Sequence, residues 1–252
     1  MEFDPAFLRA IRAHELGIAR TLLPPPPARV LEIAAGGESH AGALAEAGYD
    51  VVSLDVGGWI EDGAEPLEAF PFAAGSFPVL LSSALLPEVR QLGRLLAEAR
   101  RVLAPGGVAV HGMSTSTWRL WTNVAHYPHA ARAVVRKLRS LATPSVVEAS
   151  EEPGALDQRP PLTARLARIF VPPPVGGRGS SFAELTTMSA RAWREDFRRA
   201  GWRVLSERSS GIAYSGHMLL GARLGLGARR GLAPWIGSSS IYFAVEPDPD
   251  AS

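Results

Sequence analysis

Cysteine is absent from this chain of 252 residues, and lysine is almost absent, since Lys137 is the only one. Without cysteine the protein has no disulfide framework, no thiolate metal site and no cysteine nucleophile. This composition is compatible with a cytoplasmic location, which we predict. We interpret the use of arginine in place of lysine as a compositional bias of the coding sequence, so it carries no functional argument.

A large charge of one sign and a long apolar run are missing as well. The formal net charge is +1, with 26 Lys and Arg against 25 Asp and Glu, which argues against a nucleic-acid partner. The most apolar stretch in the later part of the chain, residues 211–227, contains His217, Arg223 and several glycines, so we predict no transmembrane segment. Acids and bases interrupt the apolar positions of residues 1–20, which is not typical of a signal peptide.

The pattern that is present centres on residues 28–55, ARVLEIAAGGESHAGALAEAGYDVVSLD. A short apolar run leads into a turn with Gly36 and Gly37, and an amphipathic helix and a second apolar run ending on Asp55 follow. Such a βαβ unit predicts a parallel sheet. The glycines let the backbone approach a ligand closely, and a carboxylate at the tip of the second strand can accept hydrogen bonds from both hydroxyls of a ribose.

Two classes of cofactor use this arrangement. A nicotinamide dinucleotide requires G-x-G-x-x-G and rests its pyrophosphate on the helix N-terminus, whereas here Gly36 and Gly37 are adjacent and Glu38 would repel the pyrophosphate. S-adenosylmethionine has no phosphate and carries a sulfonium cation, so the acid Glu32 is favourable near its ammonium group. A nicotinamide oxidoreductase is therefore the weaker alternative.

Three segments, in the same order, resemble the class I S-adenosylmethionine-dependent methyltransferases of the small-molecule, type 11-like group. VLEIAAGGESHAGALAEAG, at 30–48, is similar to the first motif of that family. FPFAAGSFPVLLSSALLPEV, at 70–89, resembles the turn into its fourth strand, and LLAEARRVLAPGGVAVHG, at 95–112, resembles the helix, Pro-Gly-Gly turn and fifth strand. Together they cover roughly the first half of the chain, and their order is more specific than any one of them.

The resemblance implies an α/β, Rossmann-like methyltransferase fold with a mostly parallel seven-stranded sheet, a last antiparallel strand and helices on both faces. It implies S-adenosyl-L-methionine as the cofactor, bound through Glu32, Ala34, Gly36, Gly37, Asp55, Val56, Leu67 and Ser83. The chain departs from the family pattern where Ala34 and Glu38 replace glycines and where Pro66 replaces an acid near the adenine. A binding or scaffold protein that has lost cofactor affinity is therefore the alternative.

We predict one methyltransferase-like domain over residues 1–252. Its parts are an N-terminal helix and Pro linker (1–27), strands within 29–34, 51–54, 64–70, 79–83, 108–112, 202–207 and 241–246, helices over 88–103 and 189–200, a substrate-covering lid (113–190) and a second insertion (209–237). In the family a leading helix often covers the cofactor, so Arg9, Arg12 or His14 are candidates for holding the methionine carboxylate. A helix with solvated arginines is the commoner arrangement.

Three histidines are the candidate catalytic residues. His111 is expected at the carboxyl end of the fifth strand, where ligands bind in open parallel sheets, so it is the first candidate for a general base. A histidine hydrogen-bonded at the sheet edge explains it equally well. His126 and His129, spaced i, i+3 on a helix, are the other candidate bases. Because no acid supports them and Pro128 lies between them, we predict no metal site.

The predicted reaction is methyl transfer to oxygen or nitrogen of a small-molecule or lipid-like acceptor. The signature of nucleobase methylation is absent after the fourth strand, where residues 82–85 are Ser-Ser-Ala-Leu. The basic residues of the 113–138 region suit an anionic substrate or a peripheral membrane contact, although a solvated helix face is commoner. Residues 210–236 suit either a substrate pocket or a homodimer contact.

Overall fold

The computed structural model describes residues 4–35, 39–57, 69–142, 172–176, 179–216 and 221–250. Their strands are β1 (Arg29–Ala34), β2 (Asp50–Asp55), β3 (Phe77–Ser83), β4 (Leu103–Ser114), β5 (Trp202–Ser209) and β6 (Ser240–Pro247). Their α-helices are α1 (Pro5–Arg20), α2 (Ala41–Glu46), α3 (Leu92–Val102), α4 (Ser116–Ala142), α5 (Glu184–Thr187), α6 (Ala190–Arg199) and α7 (Leu226–Ile236), and a short 3₁₀ turn covers Gly221–Arg223.

The described strands form one sheet in the order β2-β1-β3-β4-β6-β5. β2, β1, β3 and β4 are parallel, and β6 is antiparallel to both of its neighbours. The predicted mostly parallel α/β sheet with an antiparallel last strand is confirmed. After β1 the chain adds β2 on one side and β3 on the other, so the order reverses between β1 and β3, which is where open α/β sheets bind ligands.

The described sheet has six strands, whereas seven were predicted. The missing one is the third, predicted within residues 64–70. Residues 58–68 lie outside the described part of the chain, and Ala69 and Phe70 are not in a strand. Its existence stays a prediction.

Alternation along the strands places apolar side chains on both faces of the sheet. One face packs against α3 and α6 through Leu31, Ile33, Leu80, Ala109, Phe243 and Val245. The other packs against α1 and α2 through Val30, Val79, Leu81, Val110, Tyr242 and Ala244. Because neighbouring residues of one strand belong to different clusters, helices are required on both faces, as predicted.

The boundary between α3 and β4 differs from the prediction. α3 begins at Leu92 instead of residue 88, and the chain is already extended at Leu103, which pairs with Phe77. At the other end β4 continues to Ser114 because its last three residues pair with the start of β6. His111 therefore lies inside the strand and not at its carboxyl end, which corrects the sequence-based position.

Helix ends follow their capping residues. Asp4 caps α1 by accepting from the backbone N–H groups of Ala6 and Phe7, and the helix ends at Arg20, within the predicted range 1–27. Ser189 caps α6 by accepting from the backbone N–H of Ala192, as predicted.

A buried ion pair joins α4 to α5, and both helices lie within the predicted lid, residues 113–190. Arg119 Nε lies 2.9 Å from Glu184 Oε2, and both side chains are almost completely buried. Arg119 also donates to the carbonyl of Pro173, and Glu184 accepts from the backbone N–H groups of Val175 and Gly176. Burial lowers the pKa of Arg119, and the Glu184 carboxylate opposes that shift. This pair was not predicted from the sequence.

A helix that crosses a membrane must be both long and predominantly apolar. None of the helices of the described residues meets both conditions.

Candidate functional site

The tips of β1 and β2 lie side by side. Ala34, which is nearly buried, pairs with Asp55, and its carbonyl accepts from the backbone N–H of Val56. Asp55 is exposed, and its Oδ1 accepts from the backbone N–H of Gly57 at 2.7 Å. Within the described residues no hydrogen bond engages Asp55 Oδ2. The carboxylate is thus available at the tip of β2, where the sequence predicts a ribose contact.

Glu32 of β1 is hydrogen-bonded to β2 and to the two residues before α2. Its buried carboxylate accepts from Ser39 Oγ, from Ser53 Oγ at 2.8 Å, and from the backbone N–H of His40. Ser39 Oγ in turn accepts from the backbone N–H of Ala41 at the start of α2. One acid therefore fixes β2 and the start of α2 relative to β1.

A cavity of about 120 Å³ opens beside the carboxyl end of β3, which neighbours β1 in the sheet. Its walls come from α1, from the turn before α2, from the end of β3 and from the loop before α7. They are Leu8, Ile11, Arg12, Glu15, His40, Ser83, Ala84 and Ser215. The cavity lies at the point where the strand order reverses, which is the expected place for a ligand in this architecture.

The cavity combines two opposite charges with hydroxyl groups. Arg12 and Glu15 both line it from α1, and Glu15 accepts from the Ser240 hydroxyl of β6. Ser83 Oγ lies 3.5 Å from the hydroxyl of Tyr242. Burial, and next the negative charge of Glu15, raise the pKa of Tyr242 well above its ordinary value, so its hydroxyl remains protonated.

The position of Tyr242 depends on a glycine of the neighbouring strand. A Cβ atom added at Gly112 would lie 2.3 Å from the Tyr242 ring, so a larger residue there would displace the ring. At the same edge Ala84 has φ of 57°, and Tyr214, which precedes Ser215, has φ of 28°. Residues other than glycine adopt such angles only where the surroundings hold them, and such strain clusters at functional sites.

His111 is a core residue. Its imidazole is buried, stacks on Phe197 at 5.5 Å and meets the Trp202 ring edge to face. Nδ1 and Ser82 Oγ form a hydrogen bond of 2.8 Å, and Nε2 has no hydrogen-bond partner within the described part of the chain. Burial lowers the pKa of His111 to about 4. The ring is therefore neutral near pH 7 and faces the α6 side of the sheet, whereas Tyr242 and α1 lie on the other side.

His126 and His129 lie in the middle of α4. His126 is partly buried with its ring 5.6 Å from that of Tyr127, and His129 is exposed. Neither is among the residues that line the cavity. Over the described ranges no group of three or more His, Asp or Glu residues is arranged to hold a metal ion.

The other predicted cofactor residues divide into two groups. Ser83 lines the cavity, and Val56 is buried in the core beside the tip of β2. Gly36, Gly37 and Leu67 lie outside the described residues, so their predicted contacts with the cofactor stay predictions.

Six lining residues were missed by the sequence argument: Leu8, Ile11, Glu15, His40, Ala84 and Ser215. Glu15 lies one helical turn from Arg12, which the leading-helix argument did propose, so helical spacing was an available signal. Ser215 is distant in the sequence, and no local pattern marks it.

A larger hollow of about 370 Å³ lies between α3 and α6, lined by Val89, Arg90, Leu92, Gly93, Leu96, Asp196, Arg199 and Ala200. None of the predicted site residues lines it. The smaller cavity at the switch point is therefore the candidate active site.

The sheet order, the cavity at the switch point and the acid at the tip of β2 define an α/β protein of the Rossmann-like methyltransferase fold. A protein from Listeria monocytogenes, described as an S-adenosylmethionine-dependent methyltransferase, has the same fold, with a TM-score of 0.50 and 10% identity over 94% of this chain and 98% of that chain. A methyltransferase from Mesorhizobium loti aligns over 92% and 97% of the two chains, with a TM-score of 0.49 and 14% identity.

Residues 31–111 match the family model described as a methyltransferase domain. The demethylmenaquinone methyltransferase of Renibacterium salmoninarum is 38% identical over 96 residues, which are 34% of this chain and 40% of the relative. A biotin biosynthesis bifunctional protein of Cellvibrio japonicus is 30% identical over 125 residues, 43% of this chain and 25% of the relative. The chain thus spans less than half the length of these two relatives. Residues 31–111 are thus similar to a methyltransferase domain, in the part of the chain where the three motif segments predicted one.

Proposed function

We propose that this protein transfers the methyl group of S-adenosylmethionine to oxygen or nitrogen of a small-molecule or lipid-like acceptor. The observation that carries the proposal is the cavity between α1 and the carboxyl end of β3, with Asp55 at the tip of β2. The methionine part of the cofactor enters this cavity, and the ribose lies at Asp55, whose Oδ2 accepts from its hydroxyls.

The two charges of the cavity suit a zwitterion. The amino-acid part of the cofactor has an ammonium group and a carboxylate, and Glu15 and Arg12 offer the complementary charges from successive turns of α1. Glu32 is already held by Ser39, Ser53 and His40, so its part is to position the turn that carries the predicted Gly36 and Gly37 contacts.

The chemistry requires little from the protein beyond alignment. The acceptor lone pair forms a bond to the methyl carbon as the carbon–sulfur bond breaks. The electron pair of the broken bond remains on sulfur, which becomes a neutral thioether. Positioning in line and exclusion of water supply most of the acceleration. A nitrogen acceptor needs only its lone pair. For an oxygen acceptor, His126 and His129 stay the candidate bases, and His111, buried on the opposite face, is assigned to packing.

The acceptor class has one further support. The Renibacterium relative is a demethylmenaquinone methyltransferase, which favours a lipid-like acceptor over a protein or a nucleic acid.

A second candidate function, a binding or scaffold protein with weakened cofactor affinity, is favoured by the size of the cavity. At about 120 Å³ it is smaller than the roughly 300–1,000 Å³ of most small-molecule sites. Ala34 and Glu38, in place of the usual glycines, point the same way.

Calorimetric titration with S-adenosylmethionine and S-adenosylhomocysteine separates the two candidates. We expect heat and a raised melting temperature with both ligands, and neither with NAD. Asp55→Ala should weaken binding by roughly 1 to 3 kcal/mol because a charged hydrogen-bond acceptor is lost. Asp50→Ala is the matched control, since Asp50 is an exposed acid at the opposite end of the same strand.

Two outcomes contradict the proposal. Absence of heat with both ligands supports the scaffold function, and equal affinity of the Asp55→Ala and Asp50→Ala variants places the ribose elsewhere. Arg12→Gln and Glu15→Gln should each raise Kd by about tenfold if they hold the methionine zwitterion. Arg9→Gln, an exposed arginine of the same helix that does not line the cavity, should leave Kd unchanged.

A further inference from the structure

α4 is amphipathic with its polar side inward. Arg119 and Asn123 are buried, where both donate to the carbonyl of residue 181. Leu120, Val124 and Tyr127, spaced i, i+4 and i+7, are 46%, 44% and 48% exposed. An apolar stripe therefore follows the outer face of this helix, which is the reverse of the usual arrangement in a surface helix.

α7, whose C-terminal end is hydrogen-bonded to α4, exposes two further large apolar side chains. On α7, Leu232 is 38% exposed and Trp235 is 86% exposed. The two helices meet where the indole N–H of Trp121 donates to the carbonyl of Ile236 at 3.1 Å. In the sequence, Leu120 precedes Trp121 and Trp235 precedes Ile236. We call this the α4–α7 apolar surface, and it consists of Leu120, Val124, Tyr127, Leu232 and Trp235.

The chain segments that contain α4 and α7 carry basic residues and no acids. Residues 99–147 and 208–245, which contain α4 and α7, include 11 of the 26 Lys and Arg and none of the 25 acids. Arg119 and Arg229 of this set are buried, whereas Arg132, Arg223 and Arg230 are exposed. The net charge of +1 thus conceals one strongly basic part and one acidic part.

We propose that the α4–α7 apolar surface docks on an anionic phospholipid surface. Leu and Val enter the acyl boundary, Trp235 and Tyr127 lie at the headgroup level where amphipathic aromatic rings are favoured, and the arginines contact lipid phosphates. A second copy of the chain would bring cations against cations, and a nucleic acid would leave the apolar side chains in water. A lipid surface satisfies both the charge and the apolar area.

Flotation with vesicles tests this docking and needs neither cofactor nor acceptor, so its result is independent of the methyl-transfer proposal. We expect the full chain to float with vesicles of phosphatidylglycerol and phosphatidylcholine, to bind phosphatidylcholine alone more weakly, and to be released by salt. The combined variant Leu120→Ser, Val124→Ser and Trp235→Ser should lower the partition coefficient at least about tenfold. Leu205→Ser is the control, since Leu205 is 50% exposed on β5.

A charge series completes the test. Arg132→Ser and Arg223→Ser should each lower the partition coefficient by about fivefold on the anionic vesicles only. Arg94→Ser, an exposed arginine of α3 outside the basic segments, should not. The proposal is overturned if the wild type does not float, or if the triple variant floats like the wild type. It is also overturned if the triple variant instead abolishes a dimer or the binding of an oligonucleotide.

Discussion

The buried pair of Arg119 and Glu184 allows a quantitative test of what holds together the segments of the region 113–190. The pair joins α4 to α5 at 2.9 Å, and Arg119 Nη2 also reaches the carbonyl of Pro173 at 2.6 Å. Glu184 Oε1 accepts from the backbone N–H groups of Val175 and Gly176, both at 3.0 Å. Three chain segments therefore depend on two side chains that are shielded from water.

Arg119→Met leaves the Glu184 carboxylate buried without its cation, so we expect the free energy of unfolding to fall by about 3 to 5 kcal/mol. Glu184→Gln keeps an oxygen acceptor for the two backbone donors but removes the charge, and should cost roughly 1.5 to 3 kcal/mol. Because the two changes remove the same interaction, the double variant should lose about 2 kcal/mol less than the sum of the single losses. Against a total stability of about 5 to 15 kcal/mol these losses are large.

Urea denaturation followed by circular dichroism gives the three values. The control is Glu195→Gln, which breaks an exposed pair with Arg198 of similar length, 2.8 Å, and should change the stability by less than about 1 kcal/mol. If Arg119→Met costs no more than Glu195→Gln, or if the double variant is additive, the pair does not anchor this region and the reasoning fails.

Two further variants test the packing beside the cavity. Gly112→Ala should destabilise the protein by about 1 to 3 kcal/mol and displace Tyr242, because the added Cβ would lie 2.3 Å from its ring. The control Gly93→Ala in α3, where no atom lies within 4 Å of the added Cβ, should raise stability by up to about 1 kcal/mol. Equal melting temperatures of the two variants would contradict this packing. The pKa of His111 is lowered to about 4 in the folded protein, so the unfolded chain takes up a proton first as the pH falls below about 6.5. Because of His111, the free energy of unfolding should therefore fall by about 3 kcal/mol as the pH decreases from about 6.5 to about 4. His111→Gln should remove one proton from the pH dependence of unfolding. An unchanged slope of stability against pH would show that the ring titrates normally.

Local patterns were sufficient for much of the framework. Apolar runs ending on Ala34 and Asp55 predicted β1 and β2, and Ser189 predicted the start of α6, because strand alternation and capping are properties of neighbouring residues. The ends of β4 were wrong, since its last residues become a strand only by pairing with β6, more than 100 residues later in the chain.

In the candidate site, too, some residues were predicted from local patterns and others depend on contacts between distant parts of the chain. Asp55 and Ser83 were proposed from motif position and Arg12 from the leading helix. The structure places Ser83 and Arg12 in the cavity wall and Asp55 at the tip of β2. The burial of His111 could not be foreseen, because it results from Phe197 and Trp202, which reach the sheet through α6 and β5.

The sequence by itself determined that this is an α/β protein with a βαβ unit, an acid at its second strand tip and three segments that resemble the motifs of methyltransferases. The reason is that periodicity, glycine turns and helix caps act over a few residues. Only the tertiary structure decided which histidine is buried, that Glu15 and Ser215 share a cavity, and that α4 turns its apolar side outward. These outcomes depend on contacts such as Arg119 with Glu184, whose energy is large only because distant parts of the chain exclude water around it.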